Sequence, residues 1–239
     1  MRPHDISKQK KAENENLFPT GLKPKVHLLS DMVKEFGWPK LLTEIVPWLV
    51  NRRYLFFSQK IEYPSNIPEA AIPFHLSRMD ENDIEKILTL RTGFYDPDIL
   101  RRRLREGHIC FMGWAHDRPI HLRWVFIRSV YLPYLHRNLV LRPGEVYGNE
   151  TYTLPQLRKH GILVRAGFLV RKYLKERGFR RILFAASSWD LYMQAYAGKM
   201  KFNKVGEGGY RNLFGKKKFY WQGGVKELGS KKISILSDE

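Results

Sequence analysis

Between Gly144 and Gly178 the hydrophobic pattern changes its period once. Val146, Tyr147, Tyr152 and Thr153 are the β-branched and aromatic residues of a strand that stops at Leu154-Pro155. From Ile162 the apolar positions recur every three or four residues, at Ala166, Leu169, Val170, Tyr173 and Leu174, which predicts a helix ended by Gly178. Arg180 to Ala186 reads as a buried strand, and a second helix is predicted from Asp190 to Met200, ahead of Phe202.

The rest of the chain is arranged around this unit. Residues 1–25 are polar and charged with little periodicity and read as a mobile basic and polar arm. Apolar residues then return at helical steps, from Leu28 to Phe36 and from Leu41 to Leu49, broken by Pro39 and Pro47. Two short helices are expected there, followed by the aromatic run Tyr54-Leu55-Phe56-Phe57 between basic and polar neighbours. Residues 26–71 are thus read as a helical extension and proline-rich linker. The apolar face of residues 26–61 has three outlets: packing on the main domain, a homodimer contact, or a membrane surface.

A strand is predicted over Phe74–Arg78, then a helix capped by Asp80 and a second starting at Asp96-Pro97 and stopping at Gly107. His108–Ala115 and Arg118–Ile127 form a hairpin signal around Asp117, whereas Arg128–Pro143 reads as an extended arm or a loop. Val205–Tyr210 and Phe214–Trp221 pair as a closing hairpin, and residues 224–239 read as a short polar tail. These elements predict an α/β (α+β) fold: a mixed, mostly antiparallel sheet flanked by helices, with an N-terminal helical extension.

Composition adds bounds. With 239 residues, 43% of them hydrophobic, the chain can bury one sizeable core. The single Cys110 excludes an internal disulfide, and no apolar stretch is long enough to span a bilayer, so a cytoplasmic location is expected. A net charge of +18 calls for anionic company such as phosphates, an acidic substrate, nucleic acid or a lipid surface.

One place for an anion is the turn Gln156-Leu157-Arg158-Lys159-His160-Gly161, between the strand and its helix. The first turn of a helix leaves backbone N–H groups unpaired at the positive end of its dipole, and Arg158 and Lys159 would add donors. An ordinary connection with solvated basic residues is the alternative. The sequence from Pro155 through Arg158, Gly161, the strand at Ile182, Lys199 and Phe202 resembles the GNAT superfamily of acyl-coenzyme A-dependent N-acyltransferases. Leu163, Ala197 and Lys201 depart from its pattern: a small residue, a frequent proton-donating Tyr and a Gly are usual at these places.

The resemblance implies a GNAT-like domain over residues 72–223 that transfers acetyl from acetyl-coenzyme A to a primary amine, with no metal. It implies that the sheet parts near Tyr152-Thr153 and Phe184-Ala185 to admit the coenzyme arm. The coenzyme would then be held by Tyr152, Thr153 and Leu154 at the strand end, by Gln156, Arg158, Lys159, His160, Gly161 and Ile162 in the turn, and by Asp190 beyond it. Attack on the thioester needs a base and a proton for the leaving thiolate. Glu150 is the local candidate base, sharing a strand face with Tyr152, with Glu145, His108 and His121 as substitutes; a surface carboxylate is its plain alternative. Tyr192 and Tyr196, four residues apart, are candidate proton donors or core residues. The rival reading is a non-catalytic module that binds a polyanion through interleaved basic and aromatic residues such as Arg123-Trp124, Tyr210-Arg211 and Lys218 to Trp221.

Overall fold

The computed structural model describes residues 51–213 and 216–236; the expected arm and the two expected short helices lie outside them. Eight strands form one sheet in the order β10-β9-β1-β8-β7-β4-β3-β2. They are β1 (Asn51–Lys60), β2 (His75–Met79), β3 (Ile109–Ala115), β4 (Arg118–Ile127), β7 (Glu145–Thr153), β8 (Arg181–Ser187), β9 (Asn203–Leu213) and β10 (Lys216–Gly223). Every neighbouring pair is antiparallel except β7 and β8. A second sheet, ordered β11-β12-β6-β5, joins β5 (Ser129–Leu132), β6 (Arg137–Val140), β11 (Val225–Glu227) and β12 (Lys232–Ile235).

Helices α1 (Ile84–Leu90) and α2 (Pro97–Arg105) follow β2, α3 (Ile162–Glu176) joins β7 to β8, and α4 (Leu191–Lys199) follows β8. Asp96 caps α2, its carboxylate accepting from the Asp98 N–H at 2.8 Å. Side chains alternate across each strand, so the large sheet has two apolar faces. Leu122, Trp124, Tyr147 and Phe56 pack with Ile84, Ile87 and Leu100 from α1 and α2. Val125, Val146, Ile182 and Phe184 pack with Val170, Leu174 and Tyr196 from α3 and α4.

Three expectations are corrected. The run at Tyr54 is a strand, not the end of a helical extension: β1 lies between β8 and β9, with Tyr54 facing Ser187 and Phe57 facing Phe184. A short apolar run with no clear period suits a strand buried on both faces, and Tyr54 to Ser58 are all buried. That part of residues 26–61 therefore packs into the chain's own core and offers no apolar face to a membrane or a second copy. The Arg128–Pro143 arm is the β5-β6 hairpin, and β11 and β12 replace the expected polar tail, burying Val225, Ile233 and Ile235. Among the described residues no helix is long and apolar enough to cross a membrane.

Candidate functional site

The two parallel strands part early. β7 and β8 pair at Glu145 with Arg181, Val146 with Ile182 and Tyr147 with Leu183, and no further. On its other edge β7 stays with β4, but Leu122 faces Tyr152 and Trp124 faces Asn149, so Glu150 and Thr151 together oppose Arg123. This bulge takes Glu150 to a φ of 49°, in the left-handed region. A bulge bends its strand, and this one lies just beyond the last β7-β8 pair, where β7 already runs free of β8.

A cavity of about 660 Å³ occupies the parting. Arg91, Tyr95, Arg102 and Arg103 line it on the α1 and α2 side, Gly148 to Thr151 along β7, Phe184 and Ala185 along β8, and Arg123, Asp190 and Met193 towards α3 and α4. The parting was expected at Tyr152-Thr153; the β7 wall is instead Gly148 to Thr151, because pairing with β8 already ends at Tyr147.

Glu150 is on the cavity wall, but it is engaged. Arg103 donates to it twice, Nη1 to Oε2 at 2.7 Å and Nη2 to Oε1 at 2.8 Å, and the two side chains are 10% and 21% exposed. An incoming amine must share those oxygens with a guanidinium. Tyr152 lies on the same side, its ring 5.1 Å from the Arg91 guanidinium. Burial, and then the Glu150 charge, push the Tyr95 phenol upward, so it remains protonated at neutral pH.

The histidine substitutes are occupied as well. His108 Nδ1 accepts from the Ile127 N–H at 3.2 Å, which leaves the ring proton on Nε2, 3.5 Å from Glu106. Burial, with help from Arg103 and Arg128, lowers its pKa to about 4. His121 is fully buried, bonded through Nδ1 to Thr153 Oγ1 at 2.8 Å; burial and then Arg123 lower it to about 3. The His108 lone pair is committed to Ile127, and His121, whose Nε2 is buried without a partner, does not line the cavity.

The spacing of Tyr192 and Tyr196 does not give them one environment. The start of α4 projects into solvent and Tyr192 is 53% exposed, whereas Tyr196 is buried and accepts from Arg123 Nη1 at 2.8 Å. Asp190 lines the cavity while its carboxylate accepts from the Met193 N–H, capping α4.

The turn before α3 is outside the cavity. Gln156, Arg158, Lys159, His160 and Gly161 are exposed, and Gly161 begins α3 with a φ of 80° that favours glycine. The stretch Pro68 to Ala71 runs against this turn: the Ala71 N–H donates to the His160 carbonyl at 2.9 Å, and Arg165 reaches Glu69 at 2.7 Å. Ile162 is buried at the start of α3. The Leu154 N–H donates to Ile120, so it belongs to the sheet. Alternation turns Thr153 to the other edge, where its carbonyl accepts from Arg158 Nε at 3.3 Å.

Sequence reasoning expected the α2 arginines Arg101, Arg102, Arg103 and Arg105 to face an anionic acceptor or solvent, and missed Arg123 as a cavity residue. Arg123-Trp124 is not a surface pair, since both residues are buried, at 3% and 0% exposure. A lone cation inside Leu122 to Ile127, an otherwise apolar strand, was the available signal of a buried charge. In the α2 run, Arg102 and Arg103 turn to the cavity, while Arg101 and Arg105 pair outside with Asp98 and Glu81.

The described chain is thus a mixed sheet opened between two parallel strands, with a polar cavity in the opening. No family model matches this chain, and no curated protein does. Among solved structures it is similar to a conserved protein of unknown function from Staphylococcus epidermidis, at 10% identity and a TM-score of 0.46, over 70% of this chain and 64% of that one. An aminoglycoside acetyltransferase from an uncultured soil metagenomic sample, solved with sisomicin, is 16% identical, with a TM-score of 0.41 over 54% of this chain and 87% of that one. A predicted acetyltransferase from Clostridium acetobutylicum, solved with acetyl-CoA, is 17% identical, with a TM-score of 0.39 over 55% of this chain and 91% of that one.

Proposed function

We propose that this chain is a GNAT-like N-acyltransferase that moves an acyl group, by default acetyl, from coenzyme A to a primary amine. The observation that carries the reading is the parting of β7 from β8, which leaves one main-chain edge of β7 unpaired beside a cavity. An amide-containing arm such as pantetheine has the donors and acceptors to pair with that edge as an added strand would. The exposed turn of Arg158, Lys159 and Gly161 offers two cations and the start of α3 to the coenzyme phosphates.

The chemistry then divides between the two sides of the cavity. The amine enters from the α1 and α2 side, where the Arg103-Glu150 pair orients its N–H groups and Glu150 takes the proton as the amine attacks the thioester carbonyl. A main-chain N–H of the β7 wall, on the edge that β8 has left, faces the oxygen on which negative charge develops. Collapse of the tetrahedral intermediate breaks the carbon–sulfur bond, and the thiolate takes a proton from a phenol. Tyr196, held by Arg123 behind the cavity, is better placed for this than the exposed Tyr192.

Calorimetric titration with acetyl-coenzyme A and coenzyme A tests the reading. Saturable one-to-one binding is expected, weakened about tenfold in Arg158→Ala, which removes a charge-assisted contact worth about 1.4 kcal/mol. Absence of binding by the intact chain would overturn it.

A further inference from the structure

Arg123 stands apart from the other arginines of the cavity. It is 3% exposed, on a central strand, and lines the cavity on the α3 and α4 side. Its one hydrogen bond goes to a neutral group, the Tyr196 hydroxyl, and Nε has no partner. Among the described residues no carboxylate comes within ion-pair distance of it. The acids of the cavity are otherwise occupied: Glu150 by Arg103, Asp96 and Asp190 by helix N–H groups, and Glu106 beside His108.

The space around this guanidinium is made for it. A Cβ at Gly148 would lie 3.0 Å from Nη2, and a Cβ at Gly167 would lie 2.5 Å from the Tyr196 hydroxyl and 3.5 Å from Nη1. Two glycines, one on β7 and one on α3, thus leave room for a forked cation and the phenol that orients it. An unpaired charge held out of water is unfavourable unless something compensates it. A planar guanidinium with free donors matches a carboxylate in shape and charge.

We propose that Arg123 receives a carboxylate carried by the substrate. This rests on the acyltransferase reading for which substrate it is: the carboxylate belongs either to a dicarboxylic acyl group on coenzyme A or to an amino-acid acceptor. Arg123 is then a specificity residue, and Tyr196 orients it as well as facing the leaving group.

The test uses the full chain with succinyl-coenzyme A, acetyl-coenzyme A, free succinate and L-glutamate, titrated into wild type, Arg123→Met and Gly148→Ala. If the acyl group brings the carboxylate, succinyl-coenzyme A binds wild type at least tenfold tighter than acetyl-coenzyme A, and Arg123→Met erases the difference. If the acceptor brings it, L-glutamate binding in the presence of acetyl-coenzyme A is lost in Arg123→Met while acetyl-coenzyme A binding is unchanged. Gly148→Ala keeps the cation but crowds it, and weakens the same carboxylate; it serves as the test should Arg123→Met not fold. Carboxylate probes that bind wild type and both variants alike, or that fail to bind wild type, overturn the proposal. The two readings fail separately. Arg123-dependent binding of succinate or glutamate without any coenzyme binding keeps the receptor and removes the acyltransferase; saturable coenzyme binding together with carboxylate binding indifferent to Arg123 does the reverse.

Discussion

Arg103 and Arg123 line the same cavity and live under opposite rules. On the α1 and α2 side, Arg103 is matched by Glu150 through two hydrogen bonds and sits about 5 Å from the Trp124 and Phe126 rings. On the α3 and α4 side, Arg123 meets a phenol and no acid. The first arrangement is self-sufficient, because each charge compensates the other. The second is complete only with an anion from outside, which is why a ligand can be inferred from one and not from the other.

The comparison breaks most sharply at Glu150. Replacing it by Gln strands the Arg103 charge, and a loss of about 3 kcal/mol is expected in urea unfolding. A loss under 1 kcal/mol would mean that water already screens the pair.

Acid should act on both sides through their histidines. Folded His108 and His121 stay neutral down to about pH 4 and 3, whereas the unfolded chain's imidazoles take protons near pH 6.5. The unfolded state therefore binds more protons below about pH 6.5, and stability falls with pH through that window. Each histidine contributes a slope of roughly 1.4 kcal/mol per pH unit, which His121→Asn should remove for the α3 and α4 side. An unchanged slope in that variant would show the ring to be accessible to protons in the folded chain.

Gly167→Ala should cost a net ~1 kcal/mol, since overpacking against Tyr196 and Met200 outweighs the better helix propensity. Arg123→Met has the opposite sign: removing an uncompensated cation should gain about 1 kcal/mol in the absence of ligand. A loss of the size expected for Glu150→Gln would make the two arginines alike and remove the contrast between them.

Much of the frame was legible because it is local. The strand at Val146, the helix with Ala166, Val170 and Leu174 on its buried side, the strand at Ile182 and the cap at Asp96 all follow from period and capping chemistry. The aromatic run at Tyr54 was not legible, because a short apolar stretch fits a helix and a doubly buried strand equally. Its neighbours in the sheet, β8 and β9, lie far along the chain. The tail was misjudged for the same reason: β12 is apolar at Ile233 and Ile235 alone, and β6 completes it.

The candidate site divides along the same line. By itself the sequence determined that a basic turn would stand between a strand and a helix, that Glu150 would come near the end of that strand, and that one arginine would interrupt an apolar strand. Tertiary structure decided what those residues meet. It paired Glu150 with Arg103 from another helix, laid Pro68 to Ala71 along the Gly161 turn, buried Tyr196 while exposing Tyr192, and left Arg123 without an acid. The physical reason is range. Period, caps and turns are written between residues a few positions apart, whereas the partner of a charge is chosen by strand order and by a single bulge in β7.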